Sequence, residues 1–209
     1  MKKLVSFITL CLIIISGSAV YGQSIGKQLK NEKKAIEARV KEIQKEGWKD
    51  MGNDGLAIEI SRHFSRKNAN PNLLELTADS KACTTPNLGK VEARTAVINE
   101  YADYCGGMVK ARITSDLRDV NEEQADNMVA AYERILVKEL KKEIKPSYFL
   151  KKEIGGKAPY IIRGIFFVDE EAAERASQRA LKEAAEDAGI AYDYANKISD
   201  FINDGIKNQ

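Results

Sequence analysis

His63 is the only histidine in the 209 residues, so any Ser-His-Asp or Cys-His relay in this chain must use it. It stands in "SRHFSRK", a basic polar stretch with no nucleophile motif beside it, which predicts a solvated or locally bonded side chain. A histidine-based metal site is disfavoured for the same reason, and Cys83 and Cys105 have no CxxC spacing. In "DMGNDGLAIEIS", Asp50, Asp54 and Gly55 match positions of a calcium loop. Gly52 stands where another ligand is needed, and Ser61 replaces the closing bidentate glutamate, so a polar turn is expected. "GGKAP" lacks the leading glycine of a phosphate loop and has Ala158 at the magnesium-binding position. Glu170, Glu171 and Glu174 crowd a helix start, where negative charge is stabilising in its own right. These readings assign no catalytic, cofactor-binding or metal-ligating residue and no cofactor. The remaining chemistry is aromatic. Tyr148, Tyr160, Phe166 and Phe167 are read as core, with a pocket lining as the alternative. Tyr192, Tyr194 and Phe201 are read as a contact patch.

The two cysteines raise the question of a disulfide. Pro86, preceded by Thr85 as a cap, begins a helix predicted to reach Cys105. At 1.5 Å per residue that helix spans about 28 Å. The three steps from Cys83 to Pro86 reach about 11 Å, and a disulfide needs its Cα atoms within about 7 Å. Cys105 is therefore expected as a buried core thiol on the face of Val91 and Ile98. Cys83 is expected apart from it, free or joined to another chain.

The N-terminus, "MKKLVSFITLCLIIISGSAVYGQS", has two lysines, an apolar run from Leu4 to Ile15 and small residues after it. That order matches a secretory signal peptide over 1–22, with a cut expected between Gly22 and Gln23. The run is shorter than the roughly 20 residues of a membrane span. Leu10 before Cys11 disfavours lipid attachment there. Removing 22 residues leaves about 187, and the 33 Lys+Arg fall by two to match 31 Asp+Glu. A neutral mature chain disfavours nucleic-acid binding, and no later segment is apolar enough to span a membrane.

Residues 23–47 predict an N-terminal amphipathic helix with Ile25, Leu29, Ile36, Val40 and Ile43 on one stripe, docked on the domain or pairing with a partner. "LAIEISRHF" predicts a short helix, and Leu73–Cys83 a half-buried strand. In the helix after Pro86, Val91, Ile98, Tyr101, Ala102 and Cys105 share a face. Gly106-Gly107 is expected to end or loosen it, and "MVKARITSDL" is either its continuation or a strand. From Val120 or Asn121 a 3.6-residue period runs to Ile144. "SYFLKKEIGGKAPYIIRGIFFVDE" predicts a β-hairpin turning at Gly155-Gly156, with Tyr148, Leu150 and Ile154 on one face of its first strand. Its second strand, apolar on both faces, is expected to be central. A small-residue helix fills 169–209, with Gly189 and Gly205 as interruptions. The fold class is α+β: a small antiparallel sheet packed by long helices, with extra N- and C-terminal helices and a domain over 48–168.

The order "KEGWK", strand, "NLGKVEARTAVINEYADYCGGMV", "EEQADNMVAAYERILVKEL", hairpin, "YIIRGIFFV" resembles the LPP-twenty-like group of small bacterial envelope proteins, over roughly Trp48 to Val168. The resemblance implies a periplasmic or outer-membrane-associated α+β domain and no catalytic residues. The functional expectation is an exported, envelope-associated protein with a structural or protein-interaction role, through an envelope partner or self-association. The alternatives are a small-molecule or lipid-binding module, with the ligand unknown, and a carboxylate-based hydrolase.

Overall fold

The computed structural model describes residues 25–116 and 122–188. Along them run α1 (Ile25–Lys45), β1 (Lys49–Asp50), α2 (Leu56–Ala69), β2 (Leu73–Asp79), α3 (Pro86–Asp116), α4 (Glu122–Glu143), β3 (Lys145–Glu153), β4 (Tyr160–Asp169) and α5 (Glu170–Asp187). The strands form one antiparallel sheet in the order β1-β3-β4-β2. The fold is α+β, and β4 lies inside the sheet, as its apolar run requires.

Alternation along the strands divides the core in two. Phe166, Val168 and Ala78 point to one side, where Ala93, Val97, Ala102, Cys105, Tyr132, Leu136, Leu140 and the alanines of α5 pack against them. Ile165, Tyr148 and Leu150 point to the other, where Ile43, Trp48, Leu56 and Ile60 close over them. α1 is docked through Ile36, Val40 and Ile43. Ile25 and Leu29 of its predicted stripe fall where no side chain is described, and Tyr192, Tyr194, Phe201, Gly189 and Gly205 lie outside the described residues.

Several sequence expectations are corrected. β2 stops at Asp79, four residues early, because at Ser80 the side chain takes over one of the two bonds to Ile162. Its amide donates to Ile162 O at 2.7 Å and its Oγ accepts from the Ile162 amide at 2.9 Å. A single bridge at Cys83↔Tyr160 resumes the pairing. α2 extends beyond the predicted "LAIEISRHF" to Ala69, and Asn70-Pro71-Asn72 turns, with Asn70 Oδ1 accepting the Asn72 amide. Ile154 leaves the strand and is 48% exposed, where Gly155 and Gly156 turn the chain at φ 77° and 81°. A two-residue β1 that no alternation announced pairs with β3.

The Gly106-Gly107 pair does not end α3. A Cβ on Gly106 would meet the side chain of Glu133 on α4, which lies over that glycine. Gly107 is exposed and has nothing near it. Val91 is 64% exposed, off the face it was assigned to. α3 buries Ala93 and Val97 near its start and Ala102, Cys105, Val109 and Ile113 further on, so its buried face rotates from the sheet towards α4.

Gly89 is where α3 touches the sheet, and a Cβ there would run into Ile162 and lie 2.8 Å from Cys83 Sγ. Gly89→Ala is expected to destabilise the fold by about 1–3 kcal/mol through overpacking, despite its better helix propensity. Gly107→Ala, with open space, is expected to stabilise by about 0.5–1 kcal/mol. Urea midpoints of the two variants check the pair, and a stabilising Gly89→Ala would contradict the packing described.

Candidate functional site

The chemistry-bearing side chains converge between α2 and the sheet. α2 faces the sheet with Leu56, Ile60 and His63, at spacings of four and three. Glu75 of β2 points to that side, two residues from Leu73 and Thr77. Ser147 sits at an irregularity in β3 between Pro146 and Tyr148. The three meet: His63 Nε2 lies 2.8 Å from Glu75 Oε2, and Nδ1 lies 3.0 Å from Ser147 Oγ. His63 is buried, stacked on Phe167 at 4.5 Å between centroids and met edge-on by Tyr148 and Phe64. The solvated or locally bonded side chain predicted for His63 is therefore corrected to a buried one with distant partners. Its partners lie 12 and 84 residues away, so no local pattern around "SRHFSRK" carried the signal.

Burial acts to raise the Glu75 pKa, but the hydrogen bond from His63 and the charges of His63, Lys67 and Arg39 outweigh it and hold the carboxyl below its ordinary value. Glu75 is thus ionised at neutral pH and accepts from Nε2–H. Nδ1 of the neutral ring then accepts from the Ser147 hydroxyl, and the charged ring donates to that hydroxyl oxygen. A serine, an imidazole and a carboxylate in this order have the connectivity of a nucleophile relay. Such a relay also needs donors facing a developing oxyanion and room for a substrate carbonyl. Here the imidazole is 3% exposed and covered by aromatic rings, so its bonds pin α2 to β2 and β3.

A second buried polar group crosses the other core. Tyr132 of α4 bonds Ser177 of α5 at 2.7 Å beside Cys105 of α3. Burial pushes the Cys105 thiol up to about 12, against a hydrogen bond with Tyr132. Cys83 is equally buried and donates to Tyr160 O at 3.4 Å. Both thiols are free, and Cys83 does not join Cys105, as the helix geometry required. Alkylation of the native protein is expected to modify neither, and denaturation to release both. One fast-reacting thiol in the native state, detected by intact mass, would contradict this burial.

The other sequence candidates are dispersed. Asp50 accepts the Gly52 amide at 2.9 Å, and Asp54 pairs with Arg62. Among the described residues no three His, Cys, Asp or Glu side chains are grouped to hold a metal. Glu170, Glu171 and Glu174, with Asn72, Arg175 and Gln178, line an open cleft of about 450 Å³ at the start of α5. Glu171 pairs with Arg175, and Asp169 caps the helix through the Ala172 amide. Phe166 and Phe167 are core residues on opposite sheet faces, Tyr148 joins the His63 cluster, and Tyr160 is half-buried beneath Lys151. Among the described residues no helix is long and apolar enough to cross a membrane. No family model, no curated protein and no solved structure matches the chain.

Proposed function

We propose that this is an exported, envelope-associated protein with a non-enzymatic role, structural or in protein interaction, in line with its resemblance to the LPP-twenty-like group and its signal-like N-terminus. The observation that carries the reading is where its reactive side-chain types are spent. His63, Tyr132 and Cys83 are buried and bonded inside the fold, and Cys105 is buried beside Tyr132. A catalytic group has to reach substrate, whereas these groups tie helices to the sheet and to one another.

The test treats purified protein with a fluorophosphonate probe and, in parallel, examines protein taken from its host by native mass spectrometry. The expected result is no labelled serine and no bound small molecule. Crosslinking in the intact envelope is expected to give a discrete protein adduct or a homodimer. Labelling of Ser147 would overturn the non-enzymatic reading. A stoichiometric bound adduct would replace it with the small-molecule or lipid-binding module.

A further inference from the structure

The surface where α3 begins and α4 ends pairs exposed apolar side chains with unneutralised cations. Leu88 is 45% and Val91 64% exposed, three residues apart on one ridge of α3. One turn on, Arg94 Nη2 donates to Lys141 O at 2.7 Å and to Ile144 O at 3.4 Å, which fixes that ridge over the C-terminal end of α4. Lys141, Lys142 and Lys145 lie there, exposed, and Lys145 Nζ donates to Lys142 O. Lys90, between the two apolar residues, lies 5.3 Å over the Phe149 ring.

Among the described residues none of these five cations has a carboxylate partner. Several cations elsewhere are paired: Lys49 with Glu153, Arg62 with Asp54, Lys110 with Asp126, Arg163 with Asp79, Arg179 with Glu139. Glu139 binds α5, and Glu143 follows it by one turn on the same flank, so α4's own acids leave the lysine side bare. The helix dipole accounts for cations at the end of α4. It does not account for Val91 standing exposed among them.

We infer that this corner of the fold docks on an anionic membrane surface, Leu88 and Val91 entering the headgroup–acyl boundary while Lys90, Lys141, Lys142 and Lys145 meet lipid phosphates and Arg94 holds the ridge in place. The inference rests on the envelope reading above and names the partner of that reading. Apolar side chains ringed by long basic ones are what an interfacial element uses. The aliphatic stems lie along the boundary and the charged ends reach the phosphates, with attraction fading within a Debye length.

The experiment is vesicle co-sedimentation of a chain starting at Gln23, which contains the whole described fold. Binding is expected to mixed phosphatidylglycerol–phosphatidylcholine vesicles and not to phosphatidylcholine alone, and to fall steeply with added salt. Leu88→Asp with Val91→Asp, and separately Lys141→Glu with Lys145→Glu, are each expected to weaken it about tenfold. Both pairs are exposed, and thermal melting is the check that the variants fold. Lys33→Glu with Lys34→Glu on α1 is the charge-matched control expected to bind as wild type. Equal binding to neutral vesicles, no binding, or variants that bind like wild type would overturn the inference. Capture by polyglutamate in place of vesicles would also overturn it, pointing to an acidic protein. Failure here leaves the fluorophosphonate and native-mass results standing, so it is separable from failure of the non-enzymatic reading.

Discussion

His63→Ala is expected to cost about 3–4 kcal/mol in urea unfolding at neutral pH. Three losses combine. The ring stacked on Phe167 disappears and leaves a gap under α2. Ser147 loses its partner. Glu75 loses the bond that offsets its burial, and breaking a buried pair from one side costs more than the pair contributes. His63→Gln restores an amide donor and is expected to recover part of the loss. A cost below about 1 kcal/mol for the alanine would mean that the trio does not clamp α2.

The same bond sets a pH dependence whose sign follows from Glu75. Its folded pKa lies below the ordinary 4.5. A group depressed on folding contributes stability above its unfolded value and loses it as pH falls through the folded value. The advantage of wild type over Glu75→Gln is therefore expected to be full at neutral pH and to shrink as the medium is acidified below the ordinary glutamate range. Chemical denaturation of both proteins across that range checks it. An advantage that grew on acidification would contradict the pairing.

What was legible in the sequence were the elements whose burial keeps one period throughout. α4 holds Ala125, Met128, Tyr132, Ile135, Leu136 and Leu140 on one face because it is clamped between α3 and α5 along its length. The hairpin was legible because Gly155-Gly156 interrupts two apolar runs. α3 was less so, since it changes partners part-way and its apolar positions follow two faces in turn. Its glycine pair reads as a stop because a helix end and a mid-helix glycine lying under a neighbour's side chain are written with the same residue. The His63 trio was illegible for another reason: Glu75 and Ser147 are ordinary strand positions until β2, β4 and β3 come together, and only the pairing brings them under α2.

Trp48→Ala is expected to unfasten one layer before the other. Trp48 is 5% exposed and seals the smaller core with Ile43, Leu56, Ile60, Tyr148, Leu150 and Ile165. Its amide bonds Ile43 O at 3.1 Å and so closes the end of α1. Its indole donates to Glu46, and the Arg163 guanidinium lies 4.3 Å over its ring. Arg163 is held in turn by Asp79 at 2.7 Å. Truncation is expected to cost about 3–5 kcal/mol, with roughly 1 kcal/mol of that from the lost cation–π contact. The larger core shares none of these residues, so the damage should be uneven. Hydrogen exchange is expected to show α1 and α2 losing protection well before α4 and β4, while Trp48→Phe keeps most of it. If all elements lose protection together, the two cores are one cooperative unit. If α1 alone opens, α1 is a clasp on a domain that stands without it, and the stripe of Ile36, Val40 and Ile43 becomes available for pairing with a partner.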